Sequence, residues 1–554
     1  YLDQAKDSAV ARPRLDNIIQ QMTGDLMLSN VIVQNASFDI STVKNNIPNS
    51  FTSDGNDFQM QGLAIDHKAA KSINVKSFVM AIRNYENFIK DSSYRVQFDS
   101  IIFREDKIYL SNFLFNKLNR NQVVNSFAIP KFYLGGLSWD ELIFNNKLSA
   151  EQATLFNPDI VYNVSQKARQ NRNNDVFNSI AAIDDYVDLE YLDIQNGNIR
   201  LVYDSNFSMI LKDATLSIQS RSLLHSTDIA QIKGSLNSLK FKDGNIKTGN
   251  LYFHFSNTHY TGDNGRFSAD MIEVTSPKKE LLLQIHDADI KRMQIDEKNG
   301  NVFAEDISWK KGVLNIHLDQ PENNKLRSIL ELKNISGRNT ILSLVNKKWK
   351  ISTQIDTISF SQLLKRPAEN LVLDDLFVSG EQLKAQKENT LFTSSGYSIS
   401  DEKNSFLKQV SFREKTPAHD LLLEMPGVNF TPVISALIAG KMEIPFITAD
   451  KPKIDFLKKE KNNAVLKALP IHIGQVTLTR PEIHYSSKDK TSNKYFHWQS
   501  GNAERNYADL QDIRTDSNGF SSLSIQKIEL SAEKFELPLI AGKNIKTNNT
   551  SLKG

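Results

Sequence analysis

Side chains that alternate between apolar and polar with a period of two residues run through most of this chain, and no other feature limits its fold as much. Successive side chains of a strand point to opposite faces, so a period-2 segment builds a sheet with one apolar face. Residues 30–40 (NVIVQNASFDI), 94–103 (YRVQFDSIIF), 107–115 (KIYLSNFLF), 198–204 and 250–256 read as strands. So do 313–319, 349–360 and 471–479. Helical candidates are few, the clearest being 14–28, 174–187 and 431–440. Asn196-Gly197, Asp243-Gly244, Asn264-Gly265 and Asn299-Gly300 read as tight hairpin turns, because such pairs accept positive φ. The polar stretches 165–179 (SQKARQNRNNDVFNS) and 380–396 (GEQLKAQKENTLFTSSG) read as exposed connections.

With 554 residues, 40% of them hydrophobic, the chain can bury a sizeable core. It contains no cysteine. That excludes a disulfide scaffold, a Cys-ligated zinc site and a thiol nucleophile, and it fits an oxidising compartment. Basic and acidic side chains number 67 and 64, a net charge of +3 that gives no reason to expect a nucleic-acid surface. No run of ~18 apolar residues occurs, so no bilayer-spanning helix is expected. The sequence opens on Tyr1 rather than Met, and a targeting segment or inner-membrane anchor ahead of it is the expectation.

A longer unit recurs irregularly: a strand, an aromatic-x-x-φ-φ word (φ here an aliphatic or aromatic apolar residue), and a second strand. The words are Tyr85 with Phe88-Ile89, Trp139 with Leu142-Ile143, Phe360 with Leu363-Leu364, and Phe430 with Val433-Ile434. Spacing of i, i+3 and i+4 places these residues on one face of a helical turn that could plug the end of a sheet. The chain accordingly divides into a connecting segment 1–29, a β-repeat region 30–166, a middle β region 167–348 and a second β-repeat region 349–554, read as one continuous architecture.

Three further words share the form Pro-x-Ile-x-aromatic: NPDIVY at Pro158, KPKIDF at Pro452 and RPEIHY at Pro481. Proline donates no hydrogen bond and cannot sit inside a fully paired strand, so each marks a bend or the first residue of a new strand. Ile160 and Tyr162, Ile454 and Phe456, and Ile483 and Tyr485 then share one face by alternation.

The combination in GLSWDELIFNNKLSAEQATLFNPDIVYN (136–163) and GVNFTPVISALIAGKMEIPFITADKPKIDF (427–456), with the word DIQNGNIRLVYD (193–204), resembles bacterial AsmA-like proteins, the relatives of TamB and YhdP. The resemblance is one of pattern and covers 70–166 and 349–486 best. It implies a mainly β fold: an elongated, curled, antiparallel-rich sheet forming an apolar groove, β-taco-like, with a few short helices capping it. It also implies a periplasmic protein that takes part in lipid transport between membranes or in outer-membrane and envelope maintenance. Phospholipid is then the expected ligand, the membrane and envelope proteins are the expected partners, and no cofactor is needed.

Elementary chemistry points the same way without choosing between two solutions. A sheet with one apolar face must bury it, either against a second sheet or by curling into a groove. Candidate lining residues for a groove are Ile160, Tyr162, Ile454, Phe456, Val476, Leu478, Ile483 and Tyr485. Catalytic signals are weak. The ten histidines are scattered, and no metal-ligand spacing appears. Ser487-x-x-Lys490 lies in a polar run, and acidic pairs such as Asp184-Asp185 and Asp374-Asp375 would point to opposite faces of a strand. The expectation is a non-enzymatic protein with neither metal nor catalytic residues. Two other classes compete: a structural or adhesive β-protein with closed sandwiches that binds a protein or glycan, and a carbohydrate-active enzyme. The latter requires acidic residues and aromatics gathered in one cleft.

Overall fold

In this computed structural model the described residues are 25–44, 47–66, 73–89, 94–119, 122–139, 141, 148–163, 187–202, 207–220, 235–248, 251–276, 281–296, 301–317, 329–345, 349–367, 369, 371–417, 419–439, 441–459, 470–488, 495–500, 506–515, 524–538 and 544–553. Most of the helical spacing at 14–28 and 174–187, the polar stretch 165–179, Asn299-Gly300 and Leu142-Ile143 lie outside them. The fold is mainly β, a mixed and mostly antiparallel arrangement, as alternation predicts. The chain divides into two compact units, residues 1–270 and 271–554.

The first unit opens with an antiparallel meander. Its strands are β1 (Leu26–Lys44), β2 (Ile47–Ile65), the short β3 (Ile73–Asn74), β4 (Ser77–Ile89), β5 (Tyr94–Arg104), β6 (Lys107–Asn119) and β7 (Gln122–Gly135). β8 (Leu148–Phe156) and β9 (Asp159–Asn163) run end to end along β7, broken only at Asn157-Pro158. β10 (Val187–Val202) lies parallel to both of them. β11 (Phe207–Gln219), β12 (Leu236–Thr248) and β13 (Leu251–Thr261) continue the meander, and β14 (Arg266–Thr275) carries the chain over the boundary.

The second unit repeats the broken-strand device. β15 (Leu281–Asp296) pairs antiparallel with β16 (Asn301–Trp309) and β17 (Lys311–His317), and β18 (Leu330–Val345) lies parallel to that pair. β19 (Lys350–Lys365) pairs with β20 (Val372–Asp374) and β21 (Phe377–Lys387). β22 (Thr390–Ser400), β23 (Ser405–Lys415) and β24 (His419–Thr431) follow as a meander. After the helix α1 (Ile434–Ile438), β25 (Met442–Asp450) and β26 (Lys453–Lys458) both pair with β24. β27 (Ile471–Thr479) and β28 (Glu482–Lys488) lie parallel to β25 and β26. β29 (Tyr495–Ser500), β30 (Tyr507–Thr515), β31 (Ser524–Pro538) and β32 (Asn544–Lys553) complete the unit.

The three proline words sit where they were expected, between colinear strands. Pro158 and Pro452 are fully buried and Pro481 is buried. Each gap is bridged by backbone bonds to the neighbouring strand. Asn157 N donates to Gln195 O at 2.8 Å and Asn198 N to Pro158 O at 2.7 Å. Lys451 N donates to Thr479 O and Glu482 N to Pro452 O, both at 2.8 Å. The missing proline N–H therefore costs the sheet no unpaired group.

Several expectations need correcting. Tyr85 through Ile89 and Phe360 through Leu364 are strand, within β4 and β19, rather than helical turns. The Phe430 word is followed by a described helix, and of the Trp139 word Trp139 and Glu141 are helical while its other positions lie outside the described residues. Asn196-Gly197 and Asp243-Gly244 lie inside β10 and β12; of the described pairs, Asn264-Gly265 alone forms a turn. The polar stretch 380–396 is the β21–β22 hairpin, its backbone paired on both sides to β19 and β23. Residues 26–28, at the end of the first helical segment, open β1.

One backbone feature lies behind the Asn196-Gly197 correction and behind apolar spacing of i, i+3 inside a strand. Six strands of the first unit carry one Asn or Asp in the left-handed region near mid-length, Asn35 (φ 51°), Asn84 (52°), Asn112 (48°), Asn196 (53°), Asp213 (50°) and Asn257 (45°), and Asn157 (52°) does so between β8 and β9. Asn and Asp tolerate this conformation better than other side chains bearing a Cβ. Such a residue slips the alternation by one, so apolar residues become spaced i, i+3 across it. Ile108 and Leu110 precede Asn112, whereas Phe113 and Phe115 follow it. That spacing imitates a helical turn.

Candidate functional site

The slips line up across the strands. In the first unit Asn84 stands opposite Asp99, Asn112 opposite both Asp99 and Pro130, and Asn157-Pro158 between Pro130 and Asn196-Gly197, as the flanking registers require. Asp213, Lys242, Asn257 and Asp270 continue the row, with Asn257 Nδ2 donating to Asp270 Oδ2 at 2.7 Å. In the second unit Gln382 (φ 54°), Gln409 (47°), Lys451 (50°) and Arg480 (52°) form a similar row through Ser395 and Pro426, while Asn339 (46°) stands opposite Asp356, which meets β21 at Ser379-Gly380 rather than at Gln382. A shorter row runs through Arg292, Asp306, Asn334 and Ser361, where Asn334 Nδ2 donates to Asp306 Oδ1 at 2.9 Å. Each row is a polar crease running across the strands.

Because neighbouring strands slip at the same level, the apolar face is continuous across the crease. Buried Leu211, Ala214 and Phe241 pack with Ile199, Met209 and Phe255 from one half of their strands and with Leu239 from the other. In the second unit Val410, Val428 and Ala449 join Leu407, Phe430 and Ile447 from one side of the crease to Met425 from the other. A third cluster, Ile108, Leu134, Ala153 and Leu189, is capped by Trp139, whose ring meets Phe78 at 5.2 Å and Phe103 at 6.0 Å. Every one of these clusters draws only on strands that are adjacent in the sheet or on the turn after β7. Among the described residues, none contains a residue from a second sheet.

The eight candidate residues fall into two groups, one in each unit. Ile160 and Tyr162 lie on β9, with Ile160 half-buried and Tyr162 37% exposed. The Tyr162 ring is 6.3 Å from Phe127, which is 6.1 Å from Phe115, which is 5.4 Å from Tyr94. Together they form an aromatic band across β5, β6, β7 and β9. Beside it, half-buried Ile199, Leu201, Met209, Ile246 and Phe253 extend the same face across β10 to β13. Sequence reading missed Tyr94, Phe115, Phe127 and this extension. Their signal was present as alternation that changes phase at Asp99, Asn112 and Pro130, with Tyr94 and Phe127 before the change in their strands and Phe115 after it.

In the second unit Ile454 stands opposite Ile483 and Phe456 opposite Tyr485, with rings stacked at 5.8 Å and 14°. His419 stacks on the other side of Phe456 at 5.6 Å. Val476 and Leu478 belong to β27, on the far side of the Arg480-Pro481 slip, and Leu478 packs into the cluster that holds Met425. Met425 lies two residues from Leu423, which opposes Ile454, so all six share one face.

Charge is collected on the other face. Arg413, Asp420, Asp455, His484 and Ser486 line a shallow cavity of about 510 Å³ at β23, β24, β26 and β28, together with Leu422, Leu457 and Phe456. His484 presents Nδ1 to Asp455 at 2.8 Å and Nε2 to Glu482 at 3.1 Å, and Lys459 pairs with Asp420 at 2.6 Å. Among the described residues no cluster of His, Asp and Glu could hold a metal ion, and no helix is long and apolar enough to cross a membrane. At the crease the Arg480 guanidinium, with Nε 2.8 Å from Asp450 Oδ1, holds the Asp450 carboxyl below the usual range. The Asn35 N–H, and then Arg83, do the same for Asp57. No protein-family model matches the sequence, and no curated protein matches it.

Proposed function

We propose that this chain binds phospholipid acyl chains along the apolar faces of its two units, as a non-enzymatic AsmA-like protein of lipid transport or envelope maintenance. The observation that carries this reading is a face that is apolar on both sides of the crease yet only half-buried. Ile160, Ile199, Leu201, Phe253, Ile454 and Ile483 are all of this kind, and the core cluster that Ile199 joins draws only on adjacent strands. Each methylene moved from water to such a face gains about 0.8 kcal/mol, so a lipid with ~30 methylenes needs on the order of 24 kcal/mol of shelter to leave a bilayer. A long, open apolar face supplies that while the headgroup remains in water. Periplasmic location and tethering to the inner membrane belong to the same proposal and rest on the absence of cysteine and on the resemblance in pattern.

The deciding experiment is native mass spectrometry of the purified chain, followed by solvent extraction and lipid analysis. Phospholipid bound at stoichiometric load or above is the expected result. A lipid-free protein that also takes up no fluorescent phospholipid overturns the reading.

A further inference from the structure

Among the described residues, nothing pairs with the outer edge of the first strand of the first unit. β1 is 19 residues long and pairs with β2 from Leu26 to Lys44. No other described strand lies along its far side. Strand edges in soluble proteins are normally guarded by lysine, proline or a covering loop. β1 carries no proline, and from Leu26 to Phe38 it carries no charge. Its apolar side chains are open to solvent on both faces: Met27 is 85% exposed, Ile32 55% and Val33 41%. The terminal strand of the second unit differs, since β32 is polar and has Lys546 and Lys553 along it.

We infer that β1 is a self-association edge, pairing antiparallel with β1 of a second copy of this chain. Two observations select a second copy. A neutral strand meets no like-charge repulsion when paired with itself, whereas a lysine-bearing strand does. The slip at Asn35 also makes β1 self-complementary. Before it, Val31 and Val33 stand opposite Met60 and Phe58; after it, Ala36 and Phe38 stand opposite Asn56 and Ser53. Odd positions therefore precede the crease and even positions follow it. An antiparallel pair centred between Gln34 and Asn35 sets Val33 opposite the partner's Ala36 and Val31 opposite the partner's Phe38. Both the apolar face and the crease then continue from one copy into the other. The two-fold contact is closed, because each copy offers the same edge. This inference is independent of lipid binding.

Sedimentation velocity over a concentration series tests it. The expected result is a reversible dimer whose dissociation constant rises about tenfold or more in Ile32→Lys, a change on an exposed side chain that adds an edge lysine. The absence of native cysteine permits a second measurement. An equimolar mixture of Val33→Cys and Ala36→Cys chains should form disulfide-linked dimers faster than either variant alone. A chain that stays monomeric at every concentration overturns the inference. So does a dimer that Ile32→Lys leaves intact and that the mixed cysteines do not trap preferentially.

Discussion

The ring of Pro158 occupies the space that a side chain at Gly197 would need: a Cβ there would lie 2.9 Å from Pro158 Cγ and 2.8 Å from Ile194 Cγ2. The proline that breaks one strand is thus seated against a glycine in its neighbour, at the level of the crease. Gly197→Ala should destabilise the first unit by about 1–3 kcal/mol, the usual cost of overpacking. Urea denaturation of the variant against the parent chain measures it, and an unchanged midpoint would mean that the crease yields freely.

Backbone conformation, rather than side-chain contact, should dominate at the slip residues. Asn196→Val places a β-branched residue at φ 53° and is expected to cost about 1–3 kcal/mol. Asn196→Gly should cost far less, since glycine enters this region freely. Thermal unfolding of the two variants side by side separates the conformational effect from loss of the amide.

Acid should weaken the crease. Asp57 and Asp450 are held below the ordinary carboxylate range by the Asn35 N–H and by Arg480 respectively. In the unfolded chain each returns to about 3.9. A depressed folded value contributes stability that is present above the unfolded value and is lost as pH falls through the folded one. The melting temperatures of the parent and of Asp57→Asn or Asp450→Asn should therefore differ at neutral pH and converge below about pH 4. A constant gap across the titration would contradict the ion-pair assignment.

Charge on the apolar face should block lipid uptake without unfolding the sheet. Ile160→Glu and Ile454→Glu each introduce a carboxylate at a half-buried position, one in each unit. The expected outcome is loss of fluorescent phospholipid binding with the far-ultraviolet circular dichroism preserved. Arg413→Ala, on the opposite face, should bind as the parent does. Equal binding by all three variants would remove the apolar face from the mechanism.

The strands were legible because alternation is a local property, and the proline words were legible because proline cannot donate to a ladder. The crease was not. Its signal is at most one residue in a strand, often Asn or Asp but also Gln382, Gln409 or Arg292, and in isolation Asn196-Gly197 reads as a hairpin turn, since both situations ask for positive φ. Likewise Phe360 and Leu363 have helical spacing, yet β19 runs straight through them beside the slip at Asn334. Only the register between strands distinguishes these cases, and register depends on partners far away in the chain. The same holds for the site. Ile454 and Ile483 could be named from their words, but the aromatic band from Tyr94 to Tyr162 is assembled from four strands, none of which announces its neighbours.

Aligned slips also constrain how such a chain can lengthen. A single residue inserted into one strand would move its downstream side chains to the wrong face, while the strands beside it kept theirs. A whole hairpin can be added without that penalty, provided that both of its strands change phase at the same height as the existing row. Growth by copying complete hairpins is the route this geometry leaves open, and the irregular spacing of the repeated words is what such copying produces when the connecting loops drift in length.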